Sequence, residues 1–222
     1  MEIARLVLKY VEALAWPAVA VFGLLLFRQP LAAILQRLRV AGLPGGVSLD
    51  FDREVRDAQA LSRDVAKAPP RTPPPSTPML PVTEANARML TLSLQPSPSG
   101  LDMNRYFELA QQDPNLALAG LRMEIDILAR NLAKGFKLDV SPRDSAGALL
   151  RRLLDRNAIT ADQYGLAQKI VRLCNAAVHG MRVSREEAEA VIDAAKVLAK
   201  DYLEWLSWGF DDGWTPRSEK AG

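Results

Sequence analysis

The chain has 222 residues, with 28 Lys and Arg against 26 Asp and Glu, one His and one Cys. That length buries one ordinary core with an appendage rather than two full domains. A formal net charge of +2 excludes a chain that is strongly basic overall, as a dedicated nucleic-acid binder would be, and an acidic, self-repelling disordered chain. Cys174 alone makes no internal disulfide, and no Cys/His cluster, nucleotide-binding glycine loop or nucleophile elbow is present, so neither a metal nor another cofactor is expected.

From Ala13 to Phe27 every residue is apolar or small, and these 15 residues cover about 22 Å as a helix against the roughly 30 Å of a bilayer core. Reading back to Leu6 supplies the missing length, with Lys9 and Glu12 near the end where they can snorkel or pair. Tyr10 and Trp16 fall close to the interface that amphipathic rings favour. A signal peptide or a buried core helix would also be apolar. A signal peptide, however, ends in small residues at a cleavage site, whereas Arg28-Gln29-Pro30 follows this run directly. Residues 6 to 28 are therefore expected to form a single transmembrane helix. Arg28, Arg37 and Arg39 lie at and beyond its C-terminal end, against Arg5 and Lys9 at the other, a bias that by the positive-inside rule puts the C-terminal portion in the cytoplasm. Leu31 to Arg39 reads as an amphipathic helix lying on the headgroups, so residues 1–40 form the anchor and its juxtamembrane extension.

Gly42, Pro44, Gly45 and Gly46 break that pattern, and residues 41–100 read as a charged, Pro-rich linker. Within it, Val47 to Phe51 is at best one short strand. Asp52 to Lys67 carries only sparse apolar positions (Val55, Ala58, Leu61, Val65) and reads as a solvent-exposed helix or the start of a stalk. Nine prolines lie between Ala68 and Gly100, the composition of an extended spacer, with a brief helix or extended piece over Thr83 to Leu94.

From Leu101 the helix signals are explicit. After a short leading helix over Asp102 to Gln112, Asp113-Pro114 supplies a cap and a proline at the first helical position. Leu116, Leu118, Leu121, Ile125, Leu128 and Leu132 follow at helical spacing, closed by Gly135. Ser141-Pro142 and Asp144 predict a second start before Leu149, Leu150, Leu153 and Leu154. Thr160-Ala-Asp-Gln163 and Ser184-Arg-Glu-Glu187 read as capping boxes opening two more helices, the first ending at Gly180 and the second running through Val191, Ile192, Ala195, Leu198, Tyr202 and Leu206. Short connections favour an all-α antiparallel bundle over residues 101–214, followed by a disordered tail at 215–222.

The third of these helices carries the chemistry. At 100° per residue, Arg172, Asn175 and His179 fall within about 60° of one another, so a cation, an amide and an imidazole share one stripe. Such a set can bind phosphate and move a proton, and it can equally finish a helix end, with His179 near the last carbonyls and Arg172 paired to Glu124 or Asp126. Arg122 and Glu124 interrupt an apolar helix and become supporting residues if they face the histidine. Arg143, Arg151, Arg152 and Arg156 read as a solvated basic face, and Cys174 as a small core residue.

Asp113-Pro114 before Leu116-Ala-Leu-Ala-Gly-Leu-Arg-Met-Glu-Ile125, then Leu149-Leu-Arg-Arg-Leu-Leu154, then Cys174-Asn-Ala-Ala-Val-His-Gly180, together resemble a HEPN-like domain. The resemblance covers Tyr106 to Trp208. Leu14-Ala-Trp-Pro17, Phe27-Arg28 and Gly46-Val-Ser-Leu-Asp-Phe51 are similar to the anchors of bacterial single-pass proteins bearing such domains. In active members of that superfamily an arginine, four to six residues and a histidine make a metal-independent ribonuclease site at a dimer interface. Arg172 and His179, with six residues between them, fit the loosest form, whereas in the closer form the arginine stands where this chain has Cys174. The resemblance thus implies an interaction or scaffold module at the membrane, in stress or phage defence, with a protein partner or a homodimer. The alternative is a membrane-tethered ribonuclease using Arg172, Asn175 and His179, for which RNA would be the substrate.

Overall fold

A computed structural model describes residues 50–67 and 80–208. The expected membrane helix, the juxtamembrane helix, the densest proline stretch and the tail lie outside the described residues. Among the described residues no helix is long and apolar enough to cross a membrane. They form seven α-helices and no strand: α1 Phe51–Lys67, α2 Ala85–Thr91, α3 Asn104–Gln112, α4 Pro114–Gly135, α5 Ala146–Asp155, α6 Ala161–Val178 and α7 Arg185–Trp208.

The helix starts follow local chemistry. Asp113 accepts the Leu116 amide at 3.0 Å with Pro114 behind it, which begins α4. At α6 the Thr160 and Gln163 side chains cap each other's backbone at 2.9 and 3.1 Å. At α7 Ser184 and Glu187 do the same at 2.6 and 3.2 Å. The start predicted at Ser141-Pro142 is displaced: Asp144 accepts the Ser141 amide at 2.8 Å and closes a turn, and α5 begins at Ala146, capped by Ser145.

The largest departure from the sequence reading is α1. Asp52 to Lys67 is neither a stalk nor a solvent-exposed helix, because α1 packs against α6 and α7 within the same compact unit as the rest of the bundle. Phe51, Val55, Ala58, Ser62 and Val65 are buried on it. They recur at steps of three and four residues, a stripe narrow enough to look polar in composition and sufficient for a helix lying on two longer neighbours. Gly165 of α6 permits the approach, since a Cβ there would stand 3.3 Å from a Leu61 methyl carbon. α2 is likewise drawn in: Ala85 and Met89 are buried, and the Leu80 amide donates to Ser207 Oγ of α7 at 3.0 Å. Two helices of the supposed linker therefore belong to the core.

The apolar interior has three parts. One joins α1, α3, the first half of α4, α6 and the start of α7. A second gathers α2, Leu101, Leu128 and the end of α7. The third lies between the second half of α4, α5 and the start of α6.

Candidate functional site

α4 and α6 present the polar groups that the sequence singles out, and their contacts run in opposite senses. Asn115 near the start of α4 donates through Nδ2 to the carbonyls of Ala177 and Met181 at 2.9 and 2.6 Å, at the end of α6 and just beyond it. Further along α4, Arg122 Nε donates to Asn175 Oδ1 at 3.0 Å. Asn175 is thus held from across the helix pair, and its side chain is half-buried.

Arg172 and His179 share a stripe with Asn175 but not its partners. Arg172 is exposed and pairs with Glu54 Oε2 of α1 at 3.3 Å, an oxygen it shares with Lys169 at 3.2 Å. Its partner is neither Glu124 nor Asp126, because α1 packs beside α6 and brings Glu54 to it, while Glu124 is buried. His179 ends α6 as its C-cap, exposed, with its backbone amide on the Asn175 carbonyl at 2.9 Å and Gly180 following at φ +92°. Among the described residues no hydrogen bond or ion pair engages the imidazole.

Arg122 and Glu124 lie about 200° apart around α4 and serve opposite sides of it. Arg122 also faces Asp126 at 3.7 Å, and Asp126 faces Arg130 at 3.5 Å, a ladder along the outer side. Glu124 is 1% exposed and lies in the interior, away from the histidine. It accepts from Tyr106 Oη at 2.7 Å, from the Ser99 amide at 3.1 Å and from Ser97 Oγ. Burial, then the adjacent carboxylate, push the Tyr106 phenol well above its ordinary range. Two turns on, Asn131 clasps Gln95, donating to its carbonyl at 2.8 Å and accepting its amide at 3.1 Å. Glu124 and Asn131 therefore pin residues 95 to 101 onto α4, where Gly100 and Leu101 both take positive φ.

Cys174 is buried in the core, and its thiol is pushed up to about 12 by that burial, against which the nearby Arg122 charge acts. Arg152 pairs with Asp144 and Arg151 with Asp155, each at 3.2 Å, so two of the four arginines of the basic run are matched by nearby carboxylates. Among the described residues no group of three or more His, Cys, Asp or Glu is arranged to hold a metal ion.

Two features were invisible in the one-dimensional pattern. The Glu54, Lys169 and Arg172 cluster joins residues 118 positions apart. An apolar exposure also appears at the outer face of α4 and the end of α6, where Leu116, Met123 and Val178 are 53, 59 and 53% exposed. Asn115 bonds the carbonyls on either side of Val178, which brings it to the same end of the helix pair as Leu116. Comparison with protein-family models, with curated proteins and with solved structures finds no match to this chain.

Proposed function

We propose that the helical bundle is a HEPN-like interaction or scaffold module, held on the cytoplasmic side of a bacterial inner membrane and acting through a second copy of itself or a protein partner. The observation that carries this reading is the dispersal of the three groups on α6. Arg172 is engaged by Glu54, Asn175 by Arg122, and His179 stands at the helix end. A phosphoryl transition state needs a cation fixed within hydrogen-bond reach, and losing one such donor costs about 2.7–4 kcal/mol. Contact surface is what the same face retains: Leu116, Met123 and Val178 are exposed beside the Arg122, Asp126 and Arg130 ladder, an apolar patch with a charged rim. A stress or phage-defence setting rests on the resemblance alone.

A second reading, a membrane-tethered metal-independent ribonuclease, is favoured by one contact. Arg122 reaches Asn175 from α4 and acts electrostatically on Cys174, so a cation arrives from a neighbouring helix at the position where the resemblance expects an arginine. His179 would then be the proton-transfer group.

Purified full-length protein separates the two. On the scaffold reading it leaves single-stranded RNA intact in EDTA, and its self-association by light scattering weakens in Leu116→Lys and Met123→Lys. Metal-independent cleavage that disappears in both Arg122→Ala and His179→Ala, with helicity preserved, rejects the scaffold reading.

A further inference from the structure

Away from the α6 stripe, the second and third parts of the core leave a cavity of about 80 Å³ between α4, α5, α6 and α7. Leu128 and Leu132 of α4, Leu150 of α5, Ala167 of α6 and Leu198 of α7 give it apolar walls. Its polar lining is concentrated where α6 meets α7. There Gln163, whose Oε1 is committed to the Thr160 amide in the capping box, has its Nε2 directed to Asp201 Oδ2 at 2.6 Å. The capping box thus orients an amide that fixes a carboxylate at the edge of an apolar space. One turn along α7, Glu204 has its pKa raised by burial and then by the Asp201 charge, so a second carboxylate stands close by.

The same lining includes Tyr202 and Trp205, whose rings lie 5.4 Å apart between centroids. Aromatic faces carry negative quadrupole density and attract cations. The Asp201 carboxylate and the aromatic side chains of the lining together disfavour an anion and favour an ammonium, while the leucine walls favour a hydrocarbon chain. Since one liquid water occupies about 30 Å³ and a methylene slightly less, the space suits a chain of roughly three or four carbons. We propose that this cavity is a binding site for a small alkylammonium ion, with its chain among the leucines and its nitrogen at the Asp201 carboxylate. Sites of this kind, apolar with few convergent polar groups, form between helices of bundles.

The test uses the full-length chain in lipid nanodiscs with ¹³C-labelled isoleucine δ1 methyls, titrated with n-butylammonium and separately with n-butanol. Ile125 and Ile159 line the cavity, whereas Ile170 and Ile192, which share with Ile125 one part of the core, do not, so the two pairs report specific and general effects respectively. Saturable shifts at Ile125 and Ile159 alone are expected with n-butylammonium. Its affinity should fall about tenfold in Asp201→Asn, the loss of one charge-assisted hydrogen bond, while n-butanol binds both proteins equally. The wild-type comparison stands by itself if that variant misfolds: n-butylammonium must bind more tightly than n-butanol. Equal affinities for the two probes, no saturable shift, or shifts as large at Ile170 and Ile192 as at Ile125 and Ile159 would overturn the proposal.

Discussion

Removing α1 should cost the bundle much of its stability, although the composition of residues 51 to 67 suggests a solvated appendage. Phe51, Val55 and Val65 are 8, 6 and 6% exposed and Ala58 is fully covered. Burying a Val or Phe side chain contributes about 1.5–3 kcal/mol, so the three larger residues approach the roughly 5–15 kcal/mol by which a typical domain is stable. Truncation also uncovers the surfaces of α6 and α7 on which they rest, while the Glu54 to Lys169 and Arg172 pairs, partly exposed, add only about 0.2–1 kcal/mol each. Urea melts followed by far-UV circular dichroism should show a cooperative transition for residues 50–208. Residues 99–208, which also lack α2, should show a low midpoint and a shallow slope, or aggregate. Ala58→Asp in the longer fragment provides the point test, placing a carboxylate where no water reaches and lowering stability by several kcal/mol, on the order expected for an unpaired buried charge. Equal midpoints and slopes for the two fragments would refute the claim that α1 belongs to the folding unit.

Glu124 provides a second perturbation: Glu124→Ala strands the donors of Tyr106, Ser97 and Ser99 and should lower stability by about 3–5 kcal/mol. Tyr106→Phe, which removes one donor and strands none, should cost only about 1–2 kcal/mol; a larger loss there than in Glu124→Ala would count against the carboxylate as the hub. Cys174, with its thiol pushed up to about 12, stays neutral at pH 8 and should resist iodoacetamide in the native protein, reacting only as fast as the bundle opens. Rapid labelling without unfolding would contradict that burial. Filling the cavity with Ala167→Val should raise the melting temperature, by up to about 2 kcal/mol of added stability if all of the roughly 80 Å³ were recovered, and a drop of similar size would mean the space is already filled by its walls.

Much of the helical layout was legible because helix ends are local chemistry. The Asp113-Pro114 start, the Thr160 to Gln163 box and the Ser184 to Glu187 box each need partners within three residues, and all form. The short third helix and the spacing of leucines on α4 were readable for the same reason. The Ser141-Pro142 start failed through an equally local competitor, the Asp144 turn.

What the chain alone leaves open is which face meets which. A helix places Arg172, Asn175 and His179 on one stripe whatever surrounds them, but only tertiary packing determines that Glu54 engages the first, Arg122 the second and no described side chain the third. Glu124 and Arg122, two residues apart in sequence, part company because α4 turns one inward and the other outward. The sparse stripe of α1 became a core face only when α6 and α7 offered it a surface, since burial is a property of two partners and one sequence segment contains just one of them. The sequence by itself therefore determined where most helices begin and which residues share a side, while the fold decided which of those sides face one another and which charges are matched across the gap.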